Sequence, residues 1–226
     1  MRLWILSDLH AEQSAPVALP EPGEEFDIAV IAGDVHGSCA AAVEWLAEAP
    51  KLQGKPVVFV PGNHEFFGSV LQDNLAAGLE AAARTGGRVH LLHRAAITIG
   101  SVRFIGCTLW TDYRLLGTPK ASMVLAGDEL DDHRLIRYRE ANGHISRFMP
   151  VNGGRIPGQR GGVKAGHWRW GAADMARAPI GALAISRCRI AQAMISPVSG
   201  SASSAVAWFC SAAAVARRRP ADCLRR

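Results

Sequence analysis

Three short stretches carry side chains able to bind a cation or move a proton: Asp8 with His10, Gly33-Asp34, and Gly62-Asn63-His64-Glu65. Carboxylate oxygens, imidazole nitrogens and an amide oxygen form a donor set suited to Mn, Fe or Zn, with no thiolate among them. Taken singly, each is weak, and an isolated Asn-His-Glu after a strand is ordinarily a polar turn. Their order gives them weight. Each follows an apolar run of strand character, at residues 3–6, 28–32 and 57–60, and Pro61-Gly62 ends the third run abruptly. In an extended chain residues i and i+2 point to the same side, which would let Asp8 and His10 reach one ion together. Asp34 lies 26 residues after Asp8, and Asn63 lies 29 after Asp34, each interval long enough for one crossover with its helix. Three consecutive strands thus deliver these groups to one sheet edge, where open α/β sheets bind ligands.

The ordered set Asp8-x-His10, Gly33-Asp34 and Gly62-Asn63-His64-Glu65 resembles the first three signature motifs of the calcineurin-like metallophosphoesterases. Thr108-Leu109-Trp110-Thr111-Asp112 also resembles a recurring segment of small bacterial members. The likeness covers about the first two-thirds of the chain. It implies an α/β fold, the four-layer αββα sandwich of two packed sheets with helices outside, incomplete or aberrant after about residue 150. It also implies a metal-dependent phosphoesterase acting on a small phosphomonoester or phosphodiester through a pair of divalent ions, Mn, Fe or Zn. Carried over by position, Asp8 and His10 hold the first metal, Asp34 bridges both, and Asn63 binds the second. His64 stands beside the phosphoryl group as proton donor. In that pattern the ions clamp the phosphoryl oxygens and make a shared water nucleophilic at neutral pH, while Glu65 orients its neighbours from behind.

The family's later motifs, an apolar strand ending in His and then Gly-His-x-His, are not found. Gly166-His167-Trp168-Arg169 lacks the second histidine, and Gly143-His144 sits in a polar loop, so neither receives a metal role. The second metal site is therefore expected to be incomplete and the activity weak or lost. The alternatives are a catalytically inactive metal- or phosphate-binding remnant and a nucleic-acid-binding protein with a basic tail.

The remaining elements are read as scaffold. At 226 residues the chain has enough length for one domain with a real core. Asp8 interrupts the first apolar run, which argues against a signal peptide. Five cysteines without paired or zinc-type spacing argue for reduced thiols and a cytoplasmic protein. Residues 11–25, with Pro16, Pro20 and Pro22, form a loop from the first strand to the second, read as a surface tether with a lesser claim to border the substrate. Ser38 is an N-cap candidate for a helix using Val43 and Leu46, and Leu71, Leu75 and Leu79 mark a second helix over 67–85. Three short strands are expected at 89–92, 96–99 and 102–105. His90 and His93 are read as structural, and His36 as a loop residue with a lesser claim to touch phosphate. The run Asp128-Glu129-Leu130-Asp131-Asp132-His133-Arg134 reads as a solvated helix face or cap loop, not a metal site.

Composition breaks near residue 150. Residues 1–150 hold 13 Lys and Arg against 18 Asp and Glu, a formal charge of −5, whereas residues 151–226 hold 12 against two, or +10. Leucine falls from 17 to two across the same divide. The chain is therefore divided into a metallophosphoesterase-like domain, 1–150, and an Arg/Ala-rich tail of doubtful fold, 151–226. A dense Arg tract can neutralise nucleic-acid phosphates. The apolar run at 205–216 is too short to span a membrane. The favoured reading of the tail is translation out of frame from GC-rich DNA, because the break falls where the later family motifs are due.

Overall fold

The computed structural model describes residues 1–12, 19–110, 113 and 118–149, together with the backbone of 190–197 and 207–210. Strands β1 (Leu3–Leu6), β2 (Ile28–Ala32), β3 (Val57–Val60) and β4 (Val89–Leu91) form one parallel sheet in that order. Leu3 stands opposite Ile28, Ala29 opposite Val57, and Val57 opposite Val89. Every residue of β2 and β3 is buried, as expected of parallel strands covered on both faces.

Helices α1 (Cys39–Glu48) and α2 (Leu71–Arg84) follow β2 and β3. The Ser38 hydroxyl accepts from the Ala41 amide at 3.1 Å, so the expected N-cap is present. Alternation along the strands sorts the core into two clusters. Ala29, Ile31, Val57 and Phe59 belong to one cluster with Val43 and Leu46 of α1. Ile28, Val30, Val58 and Val60 belong to the other, with Phe104 and Leu92. Gly78 lets α2 press onto α1 and the sheet, because a Cβ there would overlap Cys39 and come within 2.9 Å of Leu91. The second helix begins at Leu71 and not at 67, since His64–Phe66 forms a 3₁₀ turn and Gly68 takes φ +70°. Its amides thus start farther from the Asn63/His64 turn than the sequence reading placed them.

The second sheet starts with β5 (Ala95–Ile99) and β6 (Val102–Leu109), the latter longer than expected. Next come α3 (Pro119–Glu129), α4 (Asp131–Leu135) and a hairpin of β7 (Arg137–Arg139) with β8 (Ile145–Arg147). Beyond residue 150, β9 (Ile190–Pro197) pairs with β6 from Val102 opposite Pro197 to Leu109 opposite Ile190. With β10 (Ala207–Cys210) the sheet has the order β10-β9-β6-β5, antiparallel throughout. The composition of the tail signals neither strand. Its Arg runs and His167 lie outside the described residues, and so do the readings that rest on them. Gly106 sets the approach of the two sheets, since a Cβ there would lie 2.7 Å from Leu92. The architecture is an α/β sandwich, and the described residues supply three of its expected layers, α1 with α2 and then the two sheets. No helix among the described residues is long and apolar enough to cross a membrane.

His93, just past β4, carries an acid-sensitive element of this packing. The Thr108 hydroxyl donates to the Pro61 carbonyl at 2.7 Å, so its oxygen accepts from His93 Nδ1 at 3.4 Å. That leaves Nε2 unprotonated, buried and without a partner among the described residues. Burial, and then the Arg94 charge, hold His93 down from 6.5 to about 4. A folded value below the unfolded one gives stability that is full above pH 6.5 and lost as pH falls toward 4. Urea unfolding at pH 7 and pH 5 is expected to show the parent losing about 1–2 kcal/mol relative to His93→Leu on acidification, a difference to which the raised Asp34 and Glu65 carboxyls, common to both proteins and opposite in sign, do not contribute. Parallel pH profiles for the two proteins would reject this role.

Candidate metal centre

The C-terminal ends of β1, β2 and β3 bring Asp8, His10, Asp34, Asn63 and His64 to one edge of the parallel sheet. Strand alternation is not what aligns Asp8 with His10. The first strand ends at Leu6, and Asp8, His10 and Asp34 take φ of +55°, +46° and +53°. Non-glycine residues adopt this left-handed region at some energetic cost and cluster there at functional sites. Backbone hydrogen bonds hold the two loops in step instead: Asp8 N to Gly33 O at 3.0 Å, His10 N to Asp34 O at 2.9 Å, and Ala11 N to Val35 O at 2.8 Å.

Glu65 fastens the second loop to the third. Its fully buried carboxylate accepts four backbone amides, with Oε1 taking Val35 at 2.5 Å and His36 at 3.0 Å. The other oxygen, Oε2, takes Gly62 at 2.6 Å and Asp34 at 3.0 Å. Burial and the Asp34 charge push the Glu65 carboxyl up to about 7, against the amides, which favour the anion. Asn74 of α2 backs the assembly, donating to Glu65 O at 2.7 Å and accepting from the Cys39 amide at 2.9 Å. Gly62 is required by space, because a Cβ there would run into the Asp34 carboxylate and lie 2.7 Å from its amide.

Ligand atoms of His10, Asp34 and His64 all lie within 4.8 Å of one another. The two imidazoles meet edge to face with centroids 4.4 Å apart. Asp34 is fully buried, and its Oδ1 accepts from the His64 amide at 3.0 Å. Burial raises its carboxyl above the ordinary value, and the Asp8 charge adds to that, while His64 and His10 pull it down. His64, carried over as a proton donor, therefore stands in the same group as His10 and Asp34. Asp8 stays outside that group, close enough for its charge to be felt at Asp34. Asn63 is buried and donates Nδ2 to Asp132 Oδ1 at 2.8 Å, whereas its own Oδ1 is covered and has no partner among the described residues. A buried acceptor without a donor calls for an electrophile, and a divalent cation meets that need.

Three residues of this neighbourhood were misjudged or missed in the sequence. Glu12 Oε1 lies 3.3 Å from His10 Nδ1 and 3.5 Å from His64 Nδ1, and only its spacing from His10 hinted at this. Asp132 and His133 are buried, at 0% and 2% exposure, so the solvated-face reading of residues 128–134 fails for both. Helical spacing in a five-residue helix was too short to show which side faced inward. Other expectations fit their surroundings. The His36 Nδ1 accepts from the Gly37 amide at 2.8 Å, and Thr108 and Trp110 join the site by hydrogen bonds, while Thr111 and Asp112 lie outside the described residues.

A family model described as calcineurin-like phosphoesterase matches residues 1–122. The chain belongs to that family. The calcineurin-like phosphoesterase match spans Asp8, His10, Asp34, Asn63 and His64 and ends before Asp132. No curated protein and no solved structure matches the chain. For a calcineurin-like phosphoesterase, a family of metal-dependent phosphoester hydrolases, the gathered donors and the open acceptor of Asn63 fit divalent ions.

Proposed function

We propose that the chain hydrolyses a small phosphomonoester or phosphodiester with the help of divalent metal ions, Mn, Fe or Zn, held at this edge of the sheet. The observation that carries this reading is the convergence of His10, Asp34 and His64 donor atoms within 4.8 Å of one another. Asp8, His10 and Asp34 are the residues for one ion, and Asp34 with Asn63 for a second. Bound ions supply Lewis acidity toward phosphoryl oxygens and make water a nucleophile near neutral pH. The chain's own contributions are positional and acid–base. Glu65 fixes the backbone of residues 34–36 and 62 through its four amides, so Asp34 and Asn63 keep their spacing. Glu12, beside Nδ1 of both histidines, orients the two rings. His64 gives a proton to the leaving oxygen.

The test is release of nitrophenol from p-nitrophenyl phosphate and bis-p-nitrophenyl phosphate by metal-depleted protein, with and without added Mn²⁺. Activity restored by Mn²⁺ on either ester is the expected result, and no turnover at any Mn²⁺ concentration overturns the hydrolase reading. The missing second histidine motifs favour one rival, a remnant that binds metal without turnover. Saturable Mn²⁺ binding in the absence of nitrophenol release would establish it.

A further inference from the structure

Asp132 lies outside every motif that carries the family resemblance, and beyond the matched residues. Its carboxylate is fully buried and serves two donors: Asn63 Nδ2 on Oδ1 at 2.8 Å and the Trp110 indole N–H on Oδ2 at 3.0 Å. An ionised carboxylate only accepts, so Asn63 must turn its NH₂ toward Asp132. The other end of that amide, Oδ1, is the covered oxygen without a partner among the described residues. We propose that Asp132 is a positioning residue that, held by Trp110, fixes the Asn63 amide with its oxygen presented to a divalent cation. This rests on the reading of Asn63 as a metal donor given above.

The surroundings of Asp132 are rigid in the way such a role needs. His133, next in the chain, donates Nδ1–H to the Phe148 carbonyl at 2.7 Å, which leaves Nε2 to accept from the Tyr113 hydroxyl at 3.0 Å. Its ring stacks on Phe148 at 5.6 Å and 17°. The Ile136 amide returns to Asp132 O at 3.0 Å, and Phe148 N bonds Ile136 O at 3.0 Å. Helix α4 is thereby fixed at both the residue and its flanks. Carboxylates that orient a metal donor from behind typically govern metal affinity by 10- to 100-fold.

The test is titration of metal-depleted parent, Asn63→Ala, Asp132→Asn and Trp110→Phe with Mn²⁺ by calorimetry, alongside thermal unfolding without metal. The parent is expected to show a stronger step and a weaker one that Asn63→Ala removes. Asp132→Asn puts an NH₂ where one donor needs an acceptor and frees the Asn63 amide to flip, so it weakens the second step about 10- to 100-fold and spares the first. Trp110→Phe moves the same step by a smaller factor, and it carries the test alone if Asp132→Asn fails to fold. Three outcomes overturn the proposal. If Asn63→Ala binds Mn²⁺ like the parent, Asn63 is no donor and the underlying reading falls with it. If Asn63→Ala loses the weaker step while Asp132→Asn and Trp110→Phe keep it, positioning by Asp132 alone is wrong. If Asp132→Asn weakens both steps equally as its melting temperature falls, the role is structural only.

Discussion

Asp34→Ala is expected to lose about 10²- to 10³-fold in kcat/KM, the scale on which one electrostatic stabiliser acts in a water-excluded site. Its carboxylate is the group that meets His10 and His64 and that also accepts the His64 amide. Removing it deletes a metal donor and frees the loop that carries His64. Asp34→Asn separates these effects, because the amide oxygen can keep the His64 hydrogen bond while the charge is gone. The Asn variant is expected to be nearly as inactive as the Ala variant. Its stability goes the other way. Burial raises the Asp34 carboxyl above its unfolded value, so this group contributes stability below that unfolded value and loses it as pH rises through the folded one. At neutral pH without metal the buried charge is a burden, and Asp34→Asn melts at or above the parent temperature. Parent-like turnover in Asp34→Ala would remove Asp34 from the centre. A markedly lower metal-free melting temperature in Asp34→Asn would contradict the electrostatic account.

Glu65→Gln has the largest expected effect on stability. Each carboxylate oxygen accepts two backbone amides, and the amide replacement turns an NH₂ toward one of those pairs. A buried donor left without an acceptor costs about 1–3 kcal/mol, so two place the loss at about 3–5 kcal/mol. That is a large share of the stability of an ordinary domain. Glu65→Asp keeps the charge but is one methylene short of spanning both loops, so an intermediate loss is expected. Urea midpoints for the three proteins decide the matter, and a Gln variant within about 0.5 kcal/mol of the parent would show that the amides find other acceptors.

Residue types and strand ends made the gathering of His10, Asp34 and His64 legible in advance, because parallel strands send their C-terminal residues to one edge. The Ser38 cap and the buried face of α1 were legible for an equally local reason. What the sequence hid depends on contacts far along the chain. Asp8 and His10 are aligned by carbonyls of residues 33 and 34, and no strand periodicity announces a left-handed backbone. Asp132 looked like one more acid in a polar run until the fold set it against Asn63, 69 residues away. Glu65 read as orienting its neighbours, and the sequence did not show that three of its four bonds run to the backbone of another loop. The pairing of β9 with β6 was equally invisible, since Ala, Ser and Gln give little of the β-branched signal that marks a strand.

The amides that meet Glu65 come from residues 34–36 and 62, on loops that close two different crossovers. The centre therefore has no local precursor. Until β2 and β3 have paired, its donors belong to separate lengths of chain, and an ion added then would have to close those loops itself at their full entropic cost. Such long-range contacts form late in folding, after the local helices and turns. An ion that binds only the finished arrangement stabilises the native state without touching the barrier to reaching it. Its mark is kinetic: it slows the departure from the folded state and leaves the rate of arrival as it was.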